Sequence, residues 1–218
     1  MARPTNAQIA EALLDRHGTS YAEEAGIRLG DDPKPSPLYR LLCLSTLLSA
    51  RIRADAAVEA TRALSAAGWR TARSMAATTW EERVKVLNRH GYARYDESTA
   101  RMLGDTANLL LDRWGGDLRR LREEAGRDAS AERELLKDTK GIGDVGASIF
   151  LREVQAAWPE ARPAIDGKAL DGAEALGLTT DPRRLAELVP AGRLPELAAA
   201  LVRVALADDA EEILAAGG

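Results

Sequence analysis

The residues best placed to do chemistry are Gly141-Ile142-Gly143-Asp144-Val145-Gly146. They match, letter for letter, the GxGxxG that cradles a dinucleotide pyrophosphate. That use requires a buried β-strand just upstream. Upstream here is Ala131-Glu132-Arg133-Glu134-Leu135-Leu136-Lys137-Asp138, a charged amphipathic helix by its spacing, and no strand pattern follows later. The glycines make better sense as a tight turn between two helices. Lys140-Gly141-Ile142-Gly143 would admit φ > 0 and bring backbone N–H groups to a phosphate with no Cβ in the way. Asp144 would cap a second helix running from Val145 to Ala157, whose positive end faces the same anion, and Ile142 would tuck between the helices. Backbone amides bind phosphate whatever the base. The expectation is therefore a helix–hairpin–helix over about residues 131–157 that holds DNA without reading its sequence. An ordinary helix–turn–helix corner is the bland alternative.

A carboxylate follows. Beyond Trp158-Pro159 and Pro163 comes Ala164-Ile165-Asp166-Gly167-Lys168-Ala169-Leu170, which puts Asp166 at the start of a new helix. A plain N-cap there would be worth about 1 kcal/mol and no catalysis. Catalysis would ask that the acid face a cleft rather than be consumed by a buried ion pair.

The elements that must position these residues read as helices almost everywhere. Apolar spacing is near 3.6, Ala and Leu dominate, and helix starts are marked at Thr5, at Ser36-Pro37, at Thr79 and at Asp181-Pro182. A run from about Tyr95 ends at Gly115-Gly116, and Leu194 to Leu214 reads as a closing helix. Alternating prolines in Gly30-Asp31-Asp32-Pro33-Lys34-Pro35-Ser36-Pro37, and again around Trp158-Pro159 to Pro163, suggest boundaries. The expected division is a terminal helical lobe of residues 1–35 plus 164–218 and a central helical block of residues 36–163.

Composition narrows the function classes. The chain has 218 residues, 45% hydrophobic and 29% charged, which is ample for a core and excludes wholesale disorder. No stretch approaches the ~18 apolar residues of a membrane span, and no apolar leader follows Met1. A cytoplasmic protein is expected. A lone Cys43 forms no internal disulfide and cannot supply the roughly four thiolates of an iron–sulfur cluster. His17 and His90 lack partners at metal-ligand spacing, so no metal is expected. The net charge of −4 is matched by the four acids after Arg203, namely Asp208, Asp209, Glu211 and Glu212, so the chain before them is neutral. Two stretches, Arg40/Arg51/Arg53 and Arg83/Lys85/Arg89/Arg94, are locally basic and could steer a polyanion.

Helix, glycine hairpin, helix, proline-bearing loop and aspartate, in that order, resemble the helix–hairpin–helix DNA glycosylase superfamily that includes endonuclease III. Leu47-Leu48-Ser49-Ala50-Arg51 is similar to that family's Leu-Leu-Ser-Ala-Gln stretch, and Gly91-Tyr92 before a helix to its second groove loop. Trp158-Pro159 matches endonuclease III, while Ile165-Asp166-Gly167 is closer to the adenine-mismatch branch. The resemblance covers roughly residues 36–178. It implies an all-α, two-lobed fold, with a six-helix barrel lobe and a lobe formed by both chain ends. It also implies double-stranded DNA as partner and hydrolysis of the N-glycosidic bond of a flipped damaged or mispaired base. Asp166 would stabilise the oxocarbenium-like sugar. Lys140, Gly141, Ile142, Gly143, Val145 and Gly146 would hold the backbone, with Arg51 filling the vacated stack and Tyr92 wedging nearby.

The departures also carry information. Bifunctional members place a nucleophilic lysine where Val145 stands, and a valine forms no Schiff base, so the expectation is a monofunctional enzyme. The four-cysteine cluster of many relatives is missing, and no cofactor is expected beyond a monovalent cation on hairpin carbonyls. Gly167-Lys168 replaces Thr-His after the aspartate. The extra acid of the adenine-mismatch enzymes falls near Ser45, so excision of adenine opposite damaged guanine does not carry over. Alkylated purines, deaminated bases, oxidised pyrimidines and mispaired thymine all stay open as substrates. A monomer is expected, and a non-catalytic binder of DNA structures is the alternative.

Overall fold

A computed structural model of the protein describes residues 4–90, 92 and 96–218. Gly91 of the second groove loop, Arg94 of the second basic stretch and the expected helix start at Tyr95 lie outside the described residues. The described residues are helical without a strand: α1 (Asn6–His17), α2 (Tyr21–Glu24), α3 (Pro35–Leu48), α4 (Ala54–Ala66), α5 (Ala72–Ala76), α6 (Trp80–Arg89), α7 (Asp96–Trp114), α8 (Leu118–Glu124), α9 (Ala129–Lys137), α10 (Asp144–Val154), α11 (Gly167–Ala175), α12 (Pro182–Ala186), α13 (Leu194–Ala207) and α14 (Ala210–Ala216). They group into two compact units, one of Ala22–Leu151 and one of Met1–Tyr21 with Arg152–Gly218. These divides cut α2 and α10, away from the proline-bearing stretches at 30–37 and 158–163. Proline stops a helix locally, but grouping follows packing, and α10 contains no proline.

In the Ala22–Leu151 unit, α3 is buried on every face. Leu38, Leu41, Leu42, Leu44 and Leu47 have no accessible surface, and Tyr39 and Cys43 are buried beside them. A helix apolar all round belongs at the centre of its unit. Burial pushes the Cys43 thiol up to about 12, so it is an inert core group. The helix starts two residues earlier than the Ser36-Pro37 cap suggests. Pro35 takes the first helical position, which suits its missing N–H, and the Ser36 hydroxyl donates to Arg70 O at 2.9 Å instead of capping. Around α3, helix α4 packs on α3 and α6, and α5 and α6 pack on α7.

Two members of the basic stretches are structural here. Arg83 is buried across Gly104, where an added Cβ would meet its guanidinium at 2.6 Å. It donates to Ala100 O at 2.7 Å and to Thr78 O and Oγ1 at 2.8 Å, tying α7 to the residues between α5 and α6. Arg40 donates to Ser65 Oγ at 2.8 Å and to the carbonyls of Ala25 and Gly26. Both therefore leave the expected cationic surface, because carbonyl acceptors were available to satisfy a buried guanidinium.

In the unit of both chain ends, α13 is the core helix, with α1 and α11 packed against it and α14 against α1. Thr5 caps α1 in a reciprocal box with Gln8, as its position before the apolar run suggests. The closing segment is two helices, not one. Asp208 takes a left-handed φ of 55° and ends α13, and α14 restarts beyond Asp209. Asp209 accepts from Arg16 Nε at 2.8 Å and pairs with His17 Nε2 at 2.9 Å, which fastens this break to the end of α1. Burial alone would raise the Asp209 pKa, but His17 and Arg16 outweigh it and hold the carboxyl below its ordinary range.

Contact between α11 and α13 depends on Gly172. A Cβ there would sit 1.9 Å from Leu201 O, a backbone atom that cannot swing aside. Gly172→Ala should therefore cost about 1–3 kcal/mol or more of stability by overpacking. Gly167→Ala, on the same helix with nothing within 4 Å, should be neutral or slightly stabilising. Thermal melts of the two variants check this: equal melting temperatures would refute the close approach.

Candidate nucleic-acid interface and candidate catalytic carboxylate

The glycine turn joins α9 to α10 as a hairpin. Gly141 carries φ +86°, and an added Cβ would meet Met102 Sδ at 2.8 Å and Thr46 Cγ2 at 3.0 Å. Glycine is needed there for its backbone angle and for the close approach of α3 and α7. Gly143 is different. Its φ is not positive and open space surrounds it. Ile142 is buried as expected, and its N–H donates to Thr139 O at 3.2 Å. That amide is therefore spent on closing the turn and is not offered to a phosphate. Gly146 is buried too, under Ile142 Cδ1 at 2.9 Å and Ser49 Oγ at 3.0 Å from its virtual Cβ. Its absent side chain lets the end of α3 approach the hairpin.

Asp144 does not cap α10. It occupies the first helical position, with Gly143 O accepting the first turn's bond from Ala147 N at 2.9 Å. The helix ends at Val154, three residues short of Ala157. The exposed Asp144 carboxylate instead pairs with Lys137 Nζ at 3.0 Å, and that lysine holds its pKa below the ordinary range. Arg133 adds a bond to Ser148 Oγ at 2.8 Å. Helical spacing alone points to solvated charges here; packing turns them into cross-links between α9 and α10.

What remains for an anion is specific. The first amides of α10, from Asp144, Val145 and Gly146, have no carbonyl within their own helix. The side chains of Lys140 and Arg51 are exposed and make no hydrogen bond or ion pair among the described residues, whereas Arg53 is forked onto Asp55 at 2.6 and 3.1 Å. Arg51 lies two residues after Ser49, in the loop between α3 and α4. Val145, 62% exposed, presents an apolar surface on the first turn of α10. Tyr92 is the clear correction. It has no accessible surface and its hydroxyl donates to Leu47 O at 2.9 Å, so it fastens the end of α3 and offers nothing to wedge into DNA. For a monovalent cation, the carbonyls of Thr139 and Lys140 each accept one bond, from Ile142 N and Thr106 Oγ1, and keep a second lone pair. Among the described residues no cluster of His, Cys, Asp and Glu is arranged to hold a metal. No helix of the described residues is long and apolar enough to cross a membrane.

Asp166 belongs to the other unit and sits where the sequence places it, as the N-cap of α11. Oδ1 accepts from Ala169 N at 3.1 Å. Oδ2 accepts from Arg152 Nη1 at 2.7 Å. Arg152 is only 3% exposed, and its Nε lies 3.3 Å from Oε1 of the buried Glu153. Burial opposes the Arg152 charge, but Glu153 and Asp166 outweigh it and hold the guanidinium above its ordinary range. So the acid is ion-paired, contrary to the expectation of an uncommitted carboxylate. It is not consumed: its side chain stays 15% exposed, and each oxygen has one donor and one further lone pair. The loop before it is clamped as well. Gln155 donates to Ala164 O and accepts from Ala164 N, both at 3.0 Å, and Arg162 donates to Gln155 O at 2.6 Å and to Ala156 O. Sequence reasoning missed Arg152 and Gln155; an arginine and a glutamine at helical spacing look like solvated surface.

No protein-family model and no curated protein matches the chain. Among solved structures it is similar to a non-covalent endonuclease III–DNA complex, at 17% identity over 89% of this chain and 81% of that one, with a TM-score of 0.54. It is also similar to a trapped endonuclease III–DNA covalent intermediate, at 18% identity over 85% and 82%, TM-score 0.50. A thermostable thymine-DNA glycosylase aligns at 16% identity over 89% and 87%, TM-score 0.50. The chain has the all-α fold of these helical DNA glycosylases.

Gly141→Ala should lose about 1–2 kcal/mol from the left-handed backbone angle alone, with crowding against Thr46 adding to it. Urea unfolding measures the loss, and an unchanged midpoint would mean that the turn is not built as described.

Proposed function

We propose that the protein is a DNA-base N-glycosylase that hydrolyses the C1′–N bond of an extruded nucleotide and leaves an abasic site. The observation that carries this reading is Asp166, held as a charged, partly exposed N-cap in a chain with the fold of DNA glycosylases. The amides of Asp144, Val145 and Gly146, with Lys140 and Arg51, would grip phosphates without reading bases, and Arg51 would occupy the stack that the flipped nucleotide leaves. Flipping costs a few kcal/mol, least for a damaged or mispaired base, and this is one source of selectivity. As the glycosidic bond breaks, its electron pair goes to the base, which takes up a proton. The sugar becomes oxocarbenium-like, and Asp166 stabilises that charge and orients the water that adds to C1′; the proton this water loses balances the one the base takes up. With Val145 at the position of the bifunctional lysine, and Lys168 paired with Asp171 at 3.1 Å, the reading is of a monofunctional enzyme.

The second reading is a DNA-structure binder without chemistry, and the Arg152–Asp166 pair favours it. One comparison separates the two. Wild type and Asp166→Asn are incubated with duplexes carrying uracil, mispaired thymine, N7-alkylated guanine or oxidised pyrimidine, then heated in alkali. The enzyme reading expects alkali-dependent cuts that fall at least about 100-fold in the variant while binding persists, since asparagine still caps a helix. Binding without cuts across the panel supports the binder. In both cases Lys140→Ala should weaken binding evenly across sequences and reduce the salt slope by about 1.

A further inference from the structure

Arg152 poses an electrostatic problem for the proposed chemistry. A guanidinium 2.7 Å from the acid that must meet a developing cation would cancel much of that acid's field. The structure supplies a counterweight. Glu153 is fully buried and contacts the same guanidinium, from Nε, at 3.3 Å. One cation between two carboxylates leaves the trio with a net charge of −1. The ring of Tyr21 lies 5.4 Å from the Arg152 guanidinium and fixes its plane further. A second arginine, Arg203, stands over the same ring at 4.3 Å, but its charge faces the negative end of α1, donating to His17 O at 2.9 Å and Thr19 O at 2.5 Å. A buried acid is costly unless its charge is paired, and the Glu153 side chain, with no accessible surface, meets this guanidinium.

We infer that Arg152 and Glu153 act as a paired positioning device. Arg152 fixes the rotamer of Asp166, and Glu153 neutralises Arg152 so that Asp166 presents an undiminished negative charge to the sugar. This rests on Asp166 being the catalytic carboxylate. Neither residue touches substrate; both act through Asp166.

A charge-compensation cycle tests it. Single-turnover excision and duplex affinity are measured for wild type, Glu153→Gln, Glu153→Asp and the double variant Arg152→Gln/Glu153→Gln, on whichever panel duplex the wild type cuts, with folding checked by circular dichroism. Glu153→Gln keeps the shape but makes the trio neutral, so the chemical step should slow about tenfold or more while duplex affinity holds. Glu153→Asp, which keeps the charge, should stay closer to wild type. The double variant restores a net −1 and should recover rate relative to Glu153→Gln. A purely structural role predicts the reverse order, since the double variant loses more contacts, and a double variant slower than Glu153→Gln overturns the inference. If Asp166→Asn abolishes cutting while Glu153→Gln leaves it unchanged, the inference fails and the glycosylase reading stands. If the wild type cuts none of the duplexes, both fall together.

Discussion

Burying a guanidinium costs several kcal/mol unless acids and acceptors surround it, and in the unit of both chain ends that requirement falls on Arg152. The requirement organises everything from the last turn of α10 to the first turn of α11. Glu153 and Asp166 supply charge, Tyr21 a ring face, and the intervening loop is pinned through Gln155 and Arg162. Asp166 is thus fixed from two sides, by the α11 amide it caps and by the cation it neutralises. A capping aspartate alone swings between rotamers; one that also answers a buried arginine does not. Farther along α11, a side chain at position 172 would meet the Leu201 backbone, so the same helix is also held closely against α13.

The hairpin of the other unit follows a different economy. Its helices carry acids and bases in nearly equal numbers, and most of the bases are committed: Lys137 to Asp144, Arg133 to Ser148, and, further off, Arg40 and Arg83 to carbonyls. Near the hairpin, positive potential is left at the open amides of α10, Lys140 and Arg51, and Lys85 and Arg89 of α6 also stay exposed. A protein of acidic overall charge can hold a polyanion in this way, because local donors decide contact while net charge only modulates approach. The turn is tight because Gly141 and Gly146 lack side chains where α3 and α7 come close, not because every glycine needs an unusual backbone angle.

The sequence by itself determined the helical class, most helix starts, the glycine hairpin, and Asp166 as the cap of a helix beyond a proline-bearing loop. Those are local properties: apolar period, cap chemistry, proline and glycine each act within a few residues. It misjudged what depends on distant partners. Tyr92 is a core strut because Leu47 O lies within reach, Ile142 N–H is used by Thr139, and the closing helix breaks because Asp209 is tied to α1. The pairing of Asp166 with Arg152, and of Arg152 with a buried glutamate, was decided by tertiary structure alone. An arginine looks the same in sequence whether water or two carboxylates surround it, and only packing sets which of those it meets.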